Sequence, residues 1–409
     1  MPPSRERPVL TLRALDRALL ARQLLLKRVR LAPADAIERL GALQAQWPPA
    51  PYIALWSRLA GFTVAALERA LEERSVVKAT VMRGTLHLVS APDYPYYAVA
   101  SPEARRAAWA SFERAILRYW GGQSEETKRF VAKWPGLGDH TALHAALLRH
   151  ARTPRTRDEL IEFMAAQTRM PVELARHFIW AFIAAYGGLV HVPGSAAWSS
   201  RGSRELVAAR TVLGRAAMPS FAEAVTHTVR RHLGAFGPAT IADIASWTHV
   251  RTSPIREALA VIGPELREFS DERGRRLYDL ARSPRPAEDT PAPVRFLAKW
   301  DSPLLAYAPP ERVRILSEAL RSSVIAKNGD VVPTVLVDGT VAARWGARMA
   351  GRTAVLEVAA LRRLASADRA EIEMEGARLI RFIHPEAGAH DVRSVGAAKL
   401  PLANLSLRP

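Results

Sequence analysis

The sequence predicts a mainly α protein with β wings, built from three tandem winged-helix modules and a small C-terminal β-rich, barrel-like domain. Three observations predict it. The order helix, helix, helix, hairpin runs once from about residue 140 and again from about residue 221. A proline-rich stretch at 283–293 interrupts the chain, and the segments after it are extended. With 409 residues the chain exceeds one ordinary domain, and the boundaries follow as 1–135, 136–215, 216–285 and 286–409.

Apolar residues recur at helical spacing from Leu10 to Lys27 and give a first helix. Pro33 opens a second helical stretch, Ala34 to Leu43, which breaks at Gln44-Ala45-Gln46-Trp47-Pro48-Pro49 because two prolines cannot continue a helix. A further helix spans Val64 to Glu72, Val76 to Val89 is β-rich, and helix resumes after Pro92. In the second module Thr141 to His150 is helical, Thr156 opens the next helix and Pro171 a longer one. Leu189 to Val192 and Ala196 to Ser199 then flank the turn residues Pro193-Gly194-Ser195. In the third, Phe221 to Leu233 forms a helix, Thr240 starts a short one, and Thr252 to Ile262 occupies the recognition position. Its wing pairs Leu266 to Phe269 with Arg276 to Leu280. Beyond the prolines, Val331 to Val337, Thr340 to Trp345, Ala354 to Val358 and Leu379 to Phe382 read as strands, with Asp338-Gly339 as a two-residue hairpin turn.

Charge sets the expected partner. The 58 Lys and Arg against 40 Asp and Glu leave +18, and a basic surface gains most from neutralising phosphates and releasing their counterions. Arginines cluster at the two contact points of the third module, so Arg251, Thr252, Arg256, Arg273, Arg275 and Arg276 are the expected grip on DNA. Solvated charge is the plainer alternative for each.

Several chemistries are excluded. Without cysteine there are no disulfides, thiolate nucleophiles or cysteine-held metals. The 11 histidines are scattered, with no His-Glu-x-x-His, no phosphate-cradling glycine loop and no Gly-x-Ser-x-Gly. Neither a metal nor a cofactor is expected. Met1 to Arg13 lacks the apolar core of a signal peptide, and no stretch reaches the roughly 20 apolar residues that span a bilayer. The expectation is a monomeric, cytoplasmic, nucleoid-associated protein of bacterial type.

What remains for chemistry is Gln44 and Gln46. In extended chain, spacing i, i+2 aims both amides at one face. Neutral amides are poor bases, yet they can orient a water and hold carbonyl dipoles against a developing positive sugar. Such help suffices where the leaving group is already good, as for an N7-alkylated guanine that departs neutral. Read as an arbitrary Gln-x-Gln, the pair would only cap a helix in solvent.

Context argues otherwise. Leu43-Gln-Ala-Gln-Trp-Pro-Pro-Ala-Pro-Tyr52, Met82-Arg-Gly-Thr-Leu-His-Leu88, Ala235-Phe-Gly-Pro-Ala-Thr-Ile-Ala-Asp243 and Val332-Pro-Thr-Val-Leu-Val-Asp-Gly339 together resemble the AlkZ/YcaQ winged-helix DNA glycosylase family over nearly the whole chain. Gln44 and Gln46 match the two-glutamine form of its AlkZ-like branch; the YcaQ-like branch carries aspartate at the second position. The resemblance implies a monofunctional glycosylase that hydrolyses the N-glycosidic bond of N7-alkylguanine in double-stranded DNA, including bulky natural-product adducts and interstrand crosslinks, in repair or self-resistance. It implies that Gln44 and Gln46 position water and stabilise an oxocarbenium-like sugar.

Arg83 and His87 match a further family segment; strand alternation would set Arg83, Thr85 and His87 on one side, with His87 more readily a buried, backbone-bonded residue than a lesion contact. Trp47 and Tyr52 could line a lesion channel, although beside prolines such residues more often pack. A lyase-type Schiff base would need a placed lysine, and of seven lysines only Lys27 and Lys78 lie within residues 9–90 around the glutamines. The rival reading is a non-enzymatic winged-helix transcriptional regulator, which charge and repeats fit equally well.

Overall fold

The computed structural model describes residues 7–200, 205–214 and 217–400. Helices dominate, and the described strands form three sheets. Helix starts are set locally. Thr156 caps Arg157–Thr168 with Glu159, Ser220 caps Phe221–Phe236 with Glu223, and Thr240 caps Ile241–Thr248 with Asp243, each side chain satisfying the other's backbone N–H. The first helix is shorter than its apolar pattern. It occupies Leu12–Arg22, capped by Thr11, because Val9–Leu10 pairs with Leu266–Asp271 and Leu24 turns left-handed at φ 56°.

One sheet runs in the order Leu43–Gln44, Leu86–Ser90, Val76–Thr80, Leu189–His191, Leu206–Ala208. Ala79 pairs with Val190, so strands expected in two different modules share one sheet. The partner of Leu189–His191 is Leu206–Ala208 and not the expected Ala196–Ser199. Pro193–Ala196 instead coils into a 3-10 turn, where proline needs no N–H partner, and Ala196 O accepts the Tyr52 hydroxyl. The hairpin Leu266–Asp271 with Arg276–Leu280 forms as anticipated.

The third sheet has the order Ala389–Ser394, Thr353–Ala360, Thr340–Ala350, Thr334–Val337, Arg295–Leu297. The Asp338-Gly339 turn is present, with positive φ at both residues (48° and 85°). No described pairing joins the two edge strands, so the sheet is open where a barrel was expected. Leu379 to Phe382 is helical within Ser366–Ile383. Its buried Ile372, Leu379, Ile380 and Ile383 face the sheet at helical spacing, a period that four residues alone cannot reveal.

The Leu12–Arg22 helix is the central strut. Arg13 and Arg17 both reach Asp338, and the Arg22 guanidinium grips Asp279 through two bonds of 2.7 and 2.8 Å while donating to Leu233 O at 2.8 Å. A Cβ on Gly339 would lie 2.4 Å from Asp16 Oδ1, so only glycine lets the turn approach this helix. The proline-rich segment carries no regular element, yet Arg13 and Arg17 bind Glu288 O and Thr290 O at 2.8 and 2.7 Å. It is a fixed strap. The cores interlock as well, since one apolar cluster joins Leu40, Ile53 and Leu55 to Phe296, Trp345 and Leu379.

Arg22 and Asp279 are both about fully buried, 1% and 0% exposed. Removing one partner strands a charge, which costs about 3–5 kcal/mol. Asp279→Ala is expected to lower the urea unfolding midpoint accordingly; an unchanged midpoint would show that the strut carries no stability.

Candidate active site

The Pro33–Leu40 helix ends at Gly41, left-handed at φ 84°. The chain then extends for two residues, pairing Leu43 with Leu88 and Gln44 with His87, and Ala45 N–H donates to Leu86 O at 2.7 Å. The next helix, Pro49–Arg58, starts where its prolines need no donor partner. Both flanks are pinned: Tyr97 Oη donates to Gly41 O at 2.6 Å, Ser302 Oγ donates to Ala42 O at 3.1 Å, and the buried Arg58 guanidinium grips Asp301 at 2.6 Å. Gln44 is therefore held on a short, rigid strand.

The extended spacing brings the two carboxamides into contact, with Gln44 Nε2 donating to Gln46 Oε1. Gln44 is buried at 7% exposure, whereas Gln46 is exposed. Arg83 sets the direction of this bond. Its Nη2 donates to Gln44 Oε1 at 2.9 Å and to His87 Nε2 at 3.2 Å, and its Nη1 to Trp247 O at 3.2 Å. A guanidinium can only donate, so Gln44 must turn its oxygen toward Arg83 and its nitrogen toward Gln46. By the same rule His87 Nε2 is unprotonated, and Nδ1–H donates to Thr85 O at 2.9 Å.

Arg83 does not lie on a strand, contrary to the alternation expected. It occupies a tight turn, Met82–Gly84, with left-handed φ of 55° and 67° at Arg83 and Gly84. The Arg105 guanidinium donates to Arg83 O, and a Cβ on Gly84 would sit 2.2 Å from Arg105 Cζ. Gly84 is thus favoured by its φ, and any side chain there would displace the Arg105 guanidinium from Arg83 O. Thr85 turns its hydroxyl back to Met82 O at 3.1 Å. Trp247 O belongs to the C-terminal turn of Ile241–Thr248, where a cation also meets the negative end of the helix dipole.

Burial, with the Arg83 cation adding to it, lowers the His87 pKa to about 3, so the ring is neutral at physiological pH. Burial and Arg312 lower Arg83 to about 10, which leaves it charged. The bonded network Gln44, Gln46, Arg83, His87 contains neither a carboxylate nor a lysine among the described residues. It can orient a water and present dipoles. It holds no strong acid or base.

The other expected contacts are distributed unevenly. Trp47 packs partly buried against the core beside Gln46. Tyr52 is fully buried, edge-on to Trp198 at 5.5 Å, and offers no exposed surface. Thr252, Arg256, Arg275 and Arg276 line one cavity of about 610 Å³; Arg251 and Arg273 lie outside it. Acids engage most of these cations. Arg251 pairs with Glu103 at 2.6 Å, Arg275 with Asp271 and Glu311, and Arg276 with Glu268. Arg256 and Arg273 are exposed, with no ion pair among the described residues. Arg105 and the Trp247 carbonyl escaped sequence reasoning, since no spacing connects them to the glutamines.

His87 makes the stability of the site pH-dependent. Its folded pKa lies below the ordinary 6.5, so its contribution is complete above pH 6.5 and is lost progressively as pH falls toward 3. At pH 5 the loss is roughly 2 kcal/mol. The drop in urea midpoint between pH 7.5 and pH 5 is expected to be smaller in His87→Gln than in the parent protein; an identical drop would mean that His87 is not buried neutral.

Comparison with known proteins identifies the family. A family model described as DNA glycosylase AlkZ-like matches residues 37–382. An interstrand DNA cross-link repair glycosylase of Streptomyces sahachiroi is 27% identical over 339 residues, covering 79% of this chain and 84% of that protein. The structure of the S. sahachiroi DNA glycosylase AlkZ matches 95% of this chain and 100% of its own with a TM-score of 0.75 at 22% identity, which establishes a common fold. Since the family match takes in the glutamine pair, Arg83, His87 and most of all three sheets, the chain belongs to the AlkZ-like DNA glycosylase family.

Proposed function

We propose that this DNA glycosylase hydrolyses the N-glycosidic bond of N7-alkylguanine in duplex DNA, with Gln44 and Gln46 as its reaction centre. The observation that carries the reading is a locked pair of neutral amides with no carboxylate bonded to them among the described residues. Excising an uncharged base would need a proton donor at the base; a cationic N7-alkylguanine departs as a neutral molecule and needs none. The exposed Gln46 meets the nucleotide and its attacking water. The buried Gln44, fixed by Arg83, orients Gln46 and directs amide dipoles at the positive charge that develops on the sugar. Arg83 acts through Gln44 and is a positioning residue.

The reaction is monofunctional in this reading. Lys78 is buried, and its ammonium donates to Ser195 O at 3.4 Å, so it is not offered to C1′ for a Schiff base. The S. sahachiroi relative carries cross-link repair in its name, and the same substrate class, bulky adducts and interstrand crosslinks, is proposed here. Three winged-helix units presenting this site to the duplex are the proposed scaffold, with Arg256 and Arg273 as the cations most available to phosphates. The transcriptional-regulator reading is not favoured, because the family match supplies an activity that charge and repeats alone did not.

The test is release of free base from a duplex containing N7-methylguanine, with a nitrogen-mustard crosslink as a second substrate. Gln44→Ala/Gln46→Ala is expected to lose release by about 100-fold or more while remaining folded and cooperatively melting. Undiminished release would remove the pair from the chemistry. Arg83→Met should lower the single-turnover rate at saturating DNA while leaving affinity for the duplex within twofold, with partial recovery in Arg83→Lys. Weakened binding at an unchanged rate would instead make Arg83 a DNA contact.

A further inference from the structure

A second basic feature lies away from the glutamines. A cavity of about 660 Å³ opens at the far end of the Pro49–Arg58 helix, with Lys27, Arg28, Trp56, Phe62, Arg295 and Arg378 in its wall. That helix starts three residues after Gln46 and runs for 10 residues, about 15 Å at 1.5 Å per residue, with the cavity at its far end.

Its charges do not balance. Glu375 receives Arg28 Nη2, accepts from Arg378 Nη1 at 3.3 Å and lies 4.0 Å from Arg295 Nη1. Three cations therefore share one carboxylate, and the fourth, Lys27, is exposed with no ion pair among the described residues. Arg28 is held in place, donating from Nε to Trp56 O at 3.0 Å with its guanidinium 4.6 Å from the centre of the Trp56 ring. Arg295 is buried to 9% side-chain exposure. Its Nη1 donates to Val294 O at 3.1 Å, but its Nε meets no acceptor. Burial and the neighbouring Arg28 lower the Arg295 pKa to about 10, so it still carries its charge at neutral pH. A largely buried guanidinium in a wall of like charges with one carboxylate among three arginines is costly unless a further anion offsets it.

We propose that this cavity is a phosphate site whose occupant is a phosphodiester of the DNA backbone flanking the lesion. Arg28 and Arg295 supply a fixed floor, and Lys27 and Arg378 close over the phosphate from the rim. The site holds the duplex in register while the glutamines act. The proposal rests on DNA being the substrate and is independent of which residues break the bond.

The experiment uses the full chain and a lesion-free 20-base-pair duplex, so it reads binding without base release. Lys27→Ala/Arg378→Ala removes the two rim cations. An exposed pair on the Glu125–Ala132 helix and just after it, Arg129→Ala/Lys133→Ala, controls for loss of overall charge. The slope of log affinity against log salt is expected to flatten by about 0.9 in the rim variant, the value for one phosphate no longer neutralised, and by less in the control. Equal slopes in the two variants, or an unchanged slope in the rim variant, would overturn the proposal. Inorganic phosphate in a thermal melt forms the second arm. Stabilisation of the parent but not of the rim variant, with the DNA slope unchanged, would assign the cavity to a free anion and overturn the DNA occupant.

Discussion

A guanidinium can donate hydrogen bonds and cannot accept them, and at Arg83 this rule orders the whole proposed reaction centre. Its donors fix which way the Gln44 amide points, which nitrogen of His87 carries the proton and, through Gln44, which atom of Gln46 faces its neighbour. Without it, each amide could flip at little cost. The left-handed turn that delivers Arg83, the glycine beside it and the Arg105 clamp on its carbonyl all serve to hold one cation in one place.

The larger architecture supports the same point. Gln44 and His87 are cross-strand partners, Trp247 O comes from a helix more than 150 residues later, and the loop holding Ser302 and Asp301 braces the glutamine segment from another side. The Leu12–Arg22 helix ties the elements that carry these groups together by Arg22 with Asp279 and by Arg13 and Arg17 with Asp338. A site assembled from so many chain segments is only as precise as the packing between them, which explains why buried ion pairs and shared cores cross the proline-rich strap.

Local chemistry made much of this legible. Capping pairs such as Thr156 with Glu159 and Thr240 with Asp243, the prolines after Gln46 and the Asp338-Gly339 turn act within a few residues, and each is found where the sequence placed it. The failures share a cause. Leu379 to Phe382 is a short apolar run whose period is visible only over the full helix, and the partner of Leu189–His191 was chosen by what Tyr52 and the first sheet offered. At the site, the contact between Gln44 and Gln46 followed from i, i+2 spacing. Arg83 was visible as a residue of interest, but its bond to Gln44 depends on a turn that no alternation rule describes. Charge was the least readable quantity: Arg251, Arg275 and Arg276 looked free in the sequence and are engaged by acids from distant segments.

In the proposed reaction the bond is broken beside neutral amides, and no group bonded to them among the described residues titrates near physiological pH. His87 stays neutral down to about pH 3 and Arg83 stays charged up to about pH 10. The most direct measurement is the single-turnover rate of N7-methylguanine release as a function of pH at saturating enzyme. A rate that is flat between about pH 5.5 and 8.5 is expected. A bell or a limb with a midpoint inside that window would reveal a general acid or base and would contradict the claim.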